Sequence, residues 1–220
     1  LRKNTNRYLN IKGTVLGNEQ LGIYMEKIGA NHDLRINSDR TTYPLPRLKD
    51  NFKFIEKTYN LLNEHIRIGI DIIPAGEWLL DNFYVIEETV KTVIKELTPV
   101  KYRKFPGLEG GTYAGYARVY VLAAEIAAYT DNRINEDILK LAISAYQRRK
   151  TLNMEEIWSL WIFLDIAVIE NIRDICERMY NSQMQKYKVE SIVERLVESK
   201  KPKDWKYGDV GAAWYAARVA

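Results

Sequence analysis

Leu79, Phe83, Ile86, Val90, Val93 and Leu97 recur at alternating four- and three-residue steps, which draws one apolar stripe down a helix running from Pro74 to Leu97. Pro74 suits the first turn, where a missing N–H is no loss, and Glu77 and Asp81 place negative charge near the positive end of the helix dipole. At about 100° per residue, Glu77, Asp81, Tyr84 and Glu88 fall opposite the stripe, with Trp78 and Asn82 on a flank. A helix with one continuous apolar face must cover it, so this segment commits the chain to a packed helical body. Glu77 and Asp81 are accordingly read as structural, stabilising the dipole and bonding a neighbouring loop, with Trp78 and Asn82 structural on the flank.

The flanking sequence repeats the pattern. A short helix from Asn18 to Ala30 has Leu21, Met25 and Ile28 inward, with Asn18 as its cap and Gly29 near its end. A polar loop from Asn31 to Tyr43, closed by Pro44 and Pro46, leads to a helix from Asp50 to Gly69 carrying Phe52, Ile55, Tyr59, Leu62 and Ile66. The short link to Pro74 makes the two long helices antiparallel neighbours. Pro99, Pro106, Gly107, Gly110 and Gly111 mark 98–112 as a long turn-rich loop, the first place to look for a binding surface. A central helix rich in small residues follows from Ala114 to Thr130, then one capped by Asn135 that runs to Lys150. Asn153 and Glu156 form a capping-box start to a helix reaching Met179, with Ile157, Trp161, Leu164, Val168, Ile172, Ile175 and Met179 as its principal stripe. A charged amphipathic helix over 186–199 precedes Lys200, Lys201 and Pro202. No strand-length alternation and no internal repeat stands out. The fold is read as all-α, an irregular multi-helix bundle of antiparallel helix pairs with no significant sheet. Its organisation is read as an extension with one short helix (1–48), a helical bundle domain (49–200) and a weakly determined tail (201–220).

Charge and motifs narrow the function. With 33 basic and 29 acidic residues in 220, the net charge of +4 is too balanced for a nucleic-acid binder. The single cysteine, Cys176, sits among apolar helix positions as a small hydrophobe and suits a reducing compartment. The N-terminus lacks the apolar region of a secretion signal and does not begin with methionine, as in a segment cut from a longer protein. The apolar run from Ile157 to Ile169 is too short for a bilayer and carries Ser159 and Asp165, so it reads as a core helix and no membrane span is expected. Phosphate-loop, nucleophile-turn and zinc-binding signatures do not occur, and two histidines, His32 and His65, read as surface or capping residues. No catalytic residue, metal site or cofactor is assigned. Glu77 and Asp81, one turn apart on one helix, are poorly placed to face each other across a scissile bond as paired glycosidase carboxylates do. Asp165 needs a partner, for which Arg118 or Arg173 is available. Trp78, Trp158 and Trp161 read as core. Tyr113, Tyr116, Arg118 and Tyr120, beside the glycine-rich segment, are the candidate glycan-binding group, because aromatic faces stack on sugar rings and planar polar groups grip hydroxyls. Fifteen tyrosines in the chain weigh toward packing for these residues.

The run Pro74-Ala75-Gly76-Glu77-Trp78-Leu79-Leu80-Asp81-Asn82-Phe83-Tyr84-Val85-Ile86-Glu87-Glu88 resembles the sequence that precedes the glycosyltransferase region of bacterial cyclic β-1,2-glucan synthases, very large multi-module membrane enzymes. Gly115-Tyr116-Ala117-Arg118-Val119-Tyr120 with its Ala-rich helix, Ala145-Tyr146-Gln147, and Leu152 through Ile169-Glu170-Asn171-Ile172-Arg173 fall in the order that family shows. The segment from Glu19 to His32 is similar to its opening helix. The likeness covers 18–179, and Gly76 and Tyr84 stand where the family often has Ala and His. The Asp-x-Asp and Gln-x-x-Arg-Trp motifs of processive membrane glycosyltransferases do not occur in the chain.

The resemblance implies an N-terminal helical region whose parent polymerises glucose from UDP-glucose, cyclises the chains and trims their length. On that footing the chain is expected to be a non-catalytic accessory domain, inactive alone, without a cofactor, on the cytoplasmic side of a membrane-embedded parent. Its expected partners are the remainder of that glycosyltransferase and β-1,2-glucan. Two rival readings are a stand-alone carbohydrate-active enzyme using Glu77, Asp81 or Asp165, and a pure protein-interaction module with an exposed apolar patch.

Overall fold

A computed structural model describes residues 11, 13–35 and 43–198. The expectations for the first ten residues, for most of the loop before Pro44 and for the tail from Lys200 lie outside that range. Among the described residues the order is α1 (Asn18–Asn31), β1 (Leu34–Arg35), α2 (Leu45–Arg67), α3 (Pro74–Glu96), α4 (Pro99–Lys104), β2 (Gly107–Leu108), α5 (Arg118–Tyr129), α6 (Glu136–Gln147) and α7 (Met154–Glu198). The all-α multi-helix reading holds. The strands are two residues each and form one antiparallel pair, Leu34 opposite Leu108.

Two compact units divide these elements. The first holds α1, the start of α2 to Lys53, α3 from Asn82, α4, the strand pair, α5, α6 and α7 to Asn171. The second holds α2 from Phe54, α3 to Asp81 and α7 from Ile172.

The α3 stripe behaves as its spacing requires. Leu79, Ile86, Val90, Val93 and Leu97 are buried while Glu77, Asp81, Tyr84 and Glu88 face solvent. Burying each of those apolar side chains is worth about 1.5–3 kcal/mol of transfer free energy. α2 and α3 run antiparallel: Phe52 stacks on Phe83 at 5.9 Å in the first unit, and Leu62 lies beside Gly76 in the second. Gly69 ends α2 with φ +77°, a left-handed stop. α2 begins at Leu45 rather than Asp50, because Pro46 is tolerated in a first turn and Leu45 and Leu48 are both buried. At α1 the cap is Gly17, and Asn18 is already helical.

In the first unit α5 is the central element, buried at every position from Arg118 to Ala127. Ala123, Ala124 and Ala127 leave room for neighbouring backbones. The capping expectations at Asn135 and Asn153 hold: Asn135 accepts from the Ile138 amide at 2.9 Å, and the Asn153 and Glu156 amides each donate to the other's side chain at 2.9 and 2.8 Å. α1 packs against α6. A Cβ on Gly29 would lie 2.8 Å from the Tyr146 carbonyl oxygen, so glycine sets that approach.

Several local expectations change. The segment 98–112 is not one loop: Thr98 caps α4 through the Lys101 amide, with Pro99 in its first turn. The chain then folds back on itself, the Leu108 amide donating to the Tyr116 carbonyl and that of Gly115 to Leu108. Gly115, at φ +89°, delays the start of α5 from Ala114 to Arg118. α7 runs unbroken past Met179, since Tyr180 to Gln185 contains neither glycine nor proline. The stripe assigned to α7 is the wrong one. Ile157 and Ile175 are exposed, and Trp158 and Trp161 are 68% and 44% exposed, while Ser159, Ile162, Phe163, Ile166 and Ile169 are buried. Both sides of 157–169 are apolar, so periodicity alone cannot choose the inward one. Trp78 is also outside the core, 51% exposed on the α3 flank.

Close approach of α1 to α6 predicts opposite outcomes for two glycines. Gly29→Ala should lower stability by about 1–3 kcal/mol in thermal unfolding, because its Cβ meets backbone. Gly22→Ala, whose Cβ would make an ordinary 3.7 Å contact with Leu141, should raise stability by about 0.5–1 kcal/mol.

Candidate functional site

A buried set of polar side chains in the first unit gathers where α5 and α7 begin. Arg118, the first residue of α5, is 2% exposed. Its Nε donates to Glu156 Oε1 at 2.9 Å, its Nη2 donates to Glu156 Oε2, and the same nitrogen reaches the Thr151 carbonyl at 3.2 Å. Glu156 is fully buried and also takes the Asn153 amide, so one carboxylate caps α7 and neutralises α5's arginine. Burial opposes the Arg118 charge, but hydrogen bonds and charge from Glu156 raise its pKa above the usual value. Arg118 Nη1 has no hydrogen-bond partner among the described residues. The guanidinium carbon lies 6.0 Å from the centre of the Tyr146 ring. The Tyr146 hydroxyl in turn bonds His32 Nδ1 at 2.9 Å.

A second acid faces α1. The Tyr24 hydroxyl donates to Glu125 Oε2 at 2.8 Å, and its ring tilts against Tyr129 at 4.4 Å. Burial pushes the Glu125 carboxyl up, against the Tyr24 hydrogen bond, which lowers it. Tyr113, half-buried, is also raised, by burial and then by the charge of Glu125. Further along α7, Glu170 pairs with Arg47 Nε and lies 3.5 Å from the Tyr120 hydroxyl.

The candidate glycan group is therefore dispersed into packing. Tyr116 and Tyr120 are 5% and 2% exposed, their rings 6.0 Å apart, and Tyr120 tilts on Phe163 at 5.7 Å. Arg118 is committed to Glu156, which leaves Tyr113 as the member with an accessible edge. Glu77 and Asp81 lie exposed one turn apart on α3 and do not face each other across a cleft. Asn82 is half-buried.

Asp165 does not meet its expected partners. Arg118 is taken by Glu156, and Arg173 pairs with Glu177 at 2.6 Å and Asp174 at 3.2 Å. Half-buried and without a hydrogen bond or ion pair among the described residues, Asp165 has its carboxyl pushed up by burial. His65 is not a surface residue: it is buried and bonds the Tyr187 hydroxyl through Nε2. Cys176 is buried and its thiol is pushed up to about 11, which keeps it a neutral apolar filler. Among the described residues no group of three or more His, Cys, Asp or Glu side chains could hold a metal ion, and no helix is long and apolar enough to cross a membrane. Glu125 and the His32–Tyr146 contact have no sequence motif; the signal for Glu125 is an isolated acid among alanines on a helix buried all round.

Two predictions follow from this geometry. Glu156→Gln should cost about 3–5 kcal/mol in chemical denaturation by leaving a buried arginine without its anion, whereas Glu177→Gln, at a partly exposed pair, should cost about 0–1 kcal/mol. Burial, then the charges of Arg118 and Lys150, lower His32 from 6.5 to about 4. The unfolded chain thus takes up a proton that the folded chain refuses, and the stability this group contributes is complete above pH 6.5 and lost as pH falls toward 4. Glu125 acts in the opposite sense, its contribution being greatest at low pH and lost as pH rises through its raised value. His32→Gln should therefore flatten the loss of melting temperature between pH 6.5 and 4.

No family model matches the chain. Among curated proteins it matches the cyclic beta-(1,2)-glucan synthase NdvB of Rhizobium meliloti, with 30% identity over 157 residues, or 71% of this chain. The match spans 6% of that protein's length. On that identity the chain is related to the cyclic β-(1,2)-glucan synthases.

Proposed function

We propose that this chain is a non-catalytic helical module of a cyclic β-(1,2)-glucan synthase-like polypeptide, and that it holds the module transferring glucose from UDP-glucose in its working position on the cytoplasmic side of the membrane. The observation that carries this reading is the 30% identity over 157 residues to a protein of which they make up 6%. How the acids are used supports the structural part. Glu156 caps α7 and neutralises Arg118, Glu170 pairs with Arg47, and Glu125 accepts from Tyr24. Each is spent on holding one helix against another, and Glu77 and Asp81 sit in the open on α3. A body stiffened in this way suits a role of fixing the place and orientation of a neighbouring module.

The test is complementation in trans. A synthase deleted for the segment that aligns with this chain should lose glucan formation from UDP-glucose, and adding the chain as a separate polypeptide should restore it. The chain alone should leave UDP-glucose unconsumed. Turnover by the isolated chain, or full activity of the deleted synthase, would overturn the reading.

A further inference from the structure

The first three turns of α7 present to solvent a face that the core does not use. Placed at 100° per residue, Met154, Ile157, Trp158, Trp161 and Asp165 fall within a strip about 100° wide. The strip lies opposite the line of Glu156, Phe163 and Glu170, which turns inward. Met154, Ile157, Trp158 and Trp161 are all exposed. Neither indole makes an aromatic ring contact or hydrogen bond with any described residue, and both side chains are exposed, one turn or about 4.5 Å apart along the axis. The next turn carries the Asp165 carboxylate, half-buried and without a hydrogen bond or ion pair among the described residues.

We propose that Trp158, Trp161 and Asp165 form a glucan-binding strip, the indoles stacking on the C–H faces of successive glucose rings and the Asp165 carboxylate accepting hydrogen bonds from ring hydroxyls. The proposal rests on the reading of this chain as part of a glucan synthase-like polypeptide, and gives that module a ligand. Asp165 decides between a sugar and an apolar protein surface. Covering the strip with an aliphatic face would desolvate an acceptor with no donor in return, whereas a glucan brings apolar faces and hydroxyl donors together. Indole is amphipathic in the same sense, with a wide ring face and one N–H. The buried Tyr116 and Tyr120 offer no such surface, so the aromatic platform expected beside the glycine-rich segment is relocated to the opposite side of α7's core-facing line.

Titration of the 15N-labelled chain with linear β-1,2-linked glucooligosaccharides tests this, with β-1,4-linked oligosaccharides of equal length alongside. The expected result is a saturable shift of the Trp158 and Trp161 indole signals and of amides within 154–168, in the millimolar range or tighter. Trp158→Ala and Trp161→Ala should each weaken binding about tenfold, and Asp165→Asn by a smaller factor, with melting temperatures near that of the parent because both indoles lie outside the buried core. Absence of shifts at about ten times that concentration would overturn the proposal, as would shifts centred on Tyr113. Line broadening that grows with protein concentration, needs no sugar and disappears in Trp158→Ala would overturn it in favour of a protein interface. A chain that restores synthesis in trans yet shows no sugar response removes the strip and leaves the module reading standing. A sugar response without restoration does the reverse.

Discussion

The Arg118–Glu156 pair is the constraint on which the first unit is built. It joins the first residue of α5 to the first turn of α7, and the same carboxylate closes the α7 capping box. With both side chains removed from water, the pair is held by charge-assisted bonds that have no solvent competitor, and neither member can leave without stranding the other. Fixing Glu156 inward also fixes the rotation of α7. Phe163 and Glu170 stand two and four turns further along the same line, so the first enters the aromatic group of Tyr102, Phe105 and Tyr120 and the second reaches Arg47.

From that rotation follows the distribution of apolar surface. A helix that is greasy on both sides can bury only one of them against a single layer of neighbours. Once Ile162, Phe163, Ile166 and Ile169 are inside, the Met154, Trp158 and Trp161 side is outside. The tryptophans are exposed as a consequence of where one buried ion pair sits. The same logic makes α5 central: its alanines admit neighbouring backbones on all sides, and its two charged groups, Arg118 and Glu125, each find a partner from a different element.

For a segment that matches a small part of a large synthase, this division of labour is informative. Glu125, Glu156 and Glu170 are engaged in joining helices, while the indoles of Trp158 and Trp161 are exposed. The interior of the unit is a structural network, and its exposed aromatic surface lies on the outer face of α7, with Tyr113 half-buried.

Much of the fold is legible in the sequence because the signals are local. The α3 stripe, Pro74 in its first turn, the left-handed Gly69, the Asn135 cap and the Asn153–Glu156 box depend on residues within a few positions of one another, and the backbone obeys them. The antiparallel pairing of α2 and α3 follows from a link too short for another arrangement. Failures occur where the deciding contact is remote. Arg118 chose Glu156 over Asp165, which lies on the same helix, and Tyr120 is buried against Phe163 of α7 with Tyr116 beside it. His32 became a half-buried ring held by Tyr146 from α6, its pKa lowered by burial and then by the charges of Arg118 and Lys150. The sequence by itself determined which segments are helical and that each needs cover, since periodicity and caps are read along one chain. Only the tertiary structure decided which face of a two-sided apolar helix is buried and which charges find each other, because those choices are made by side chains about forty to more than a hundred residues apart that share an environment only after folding.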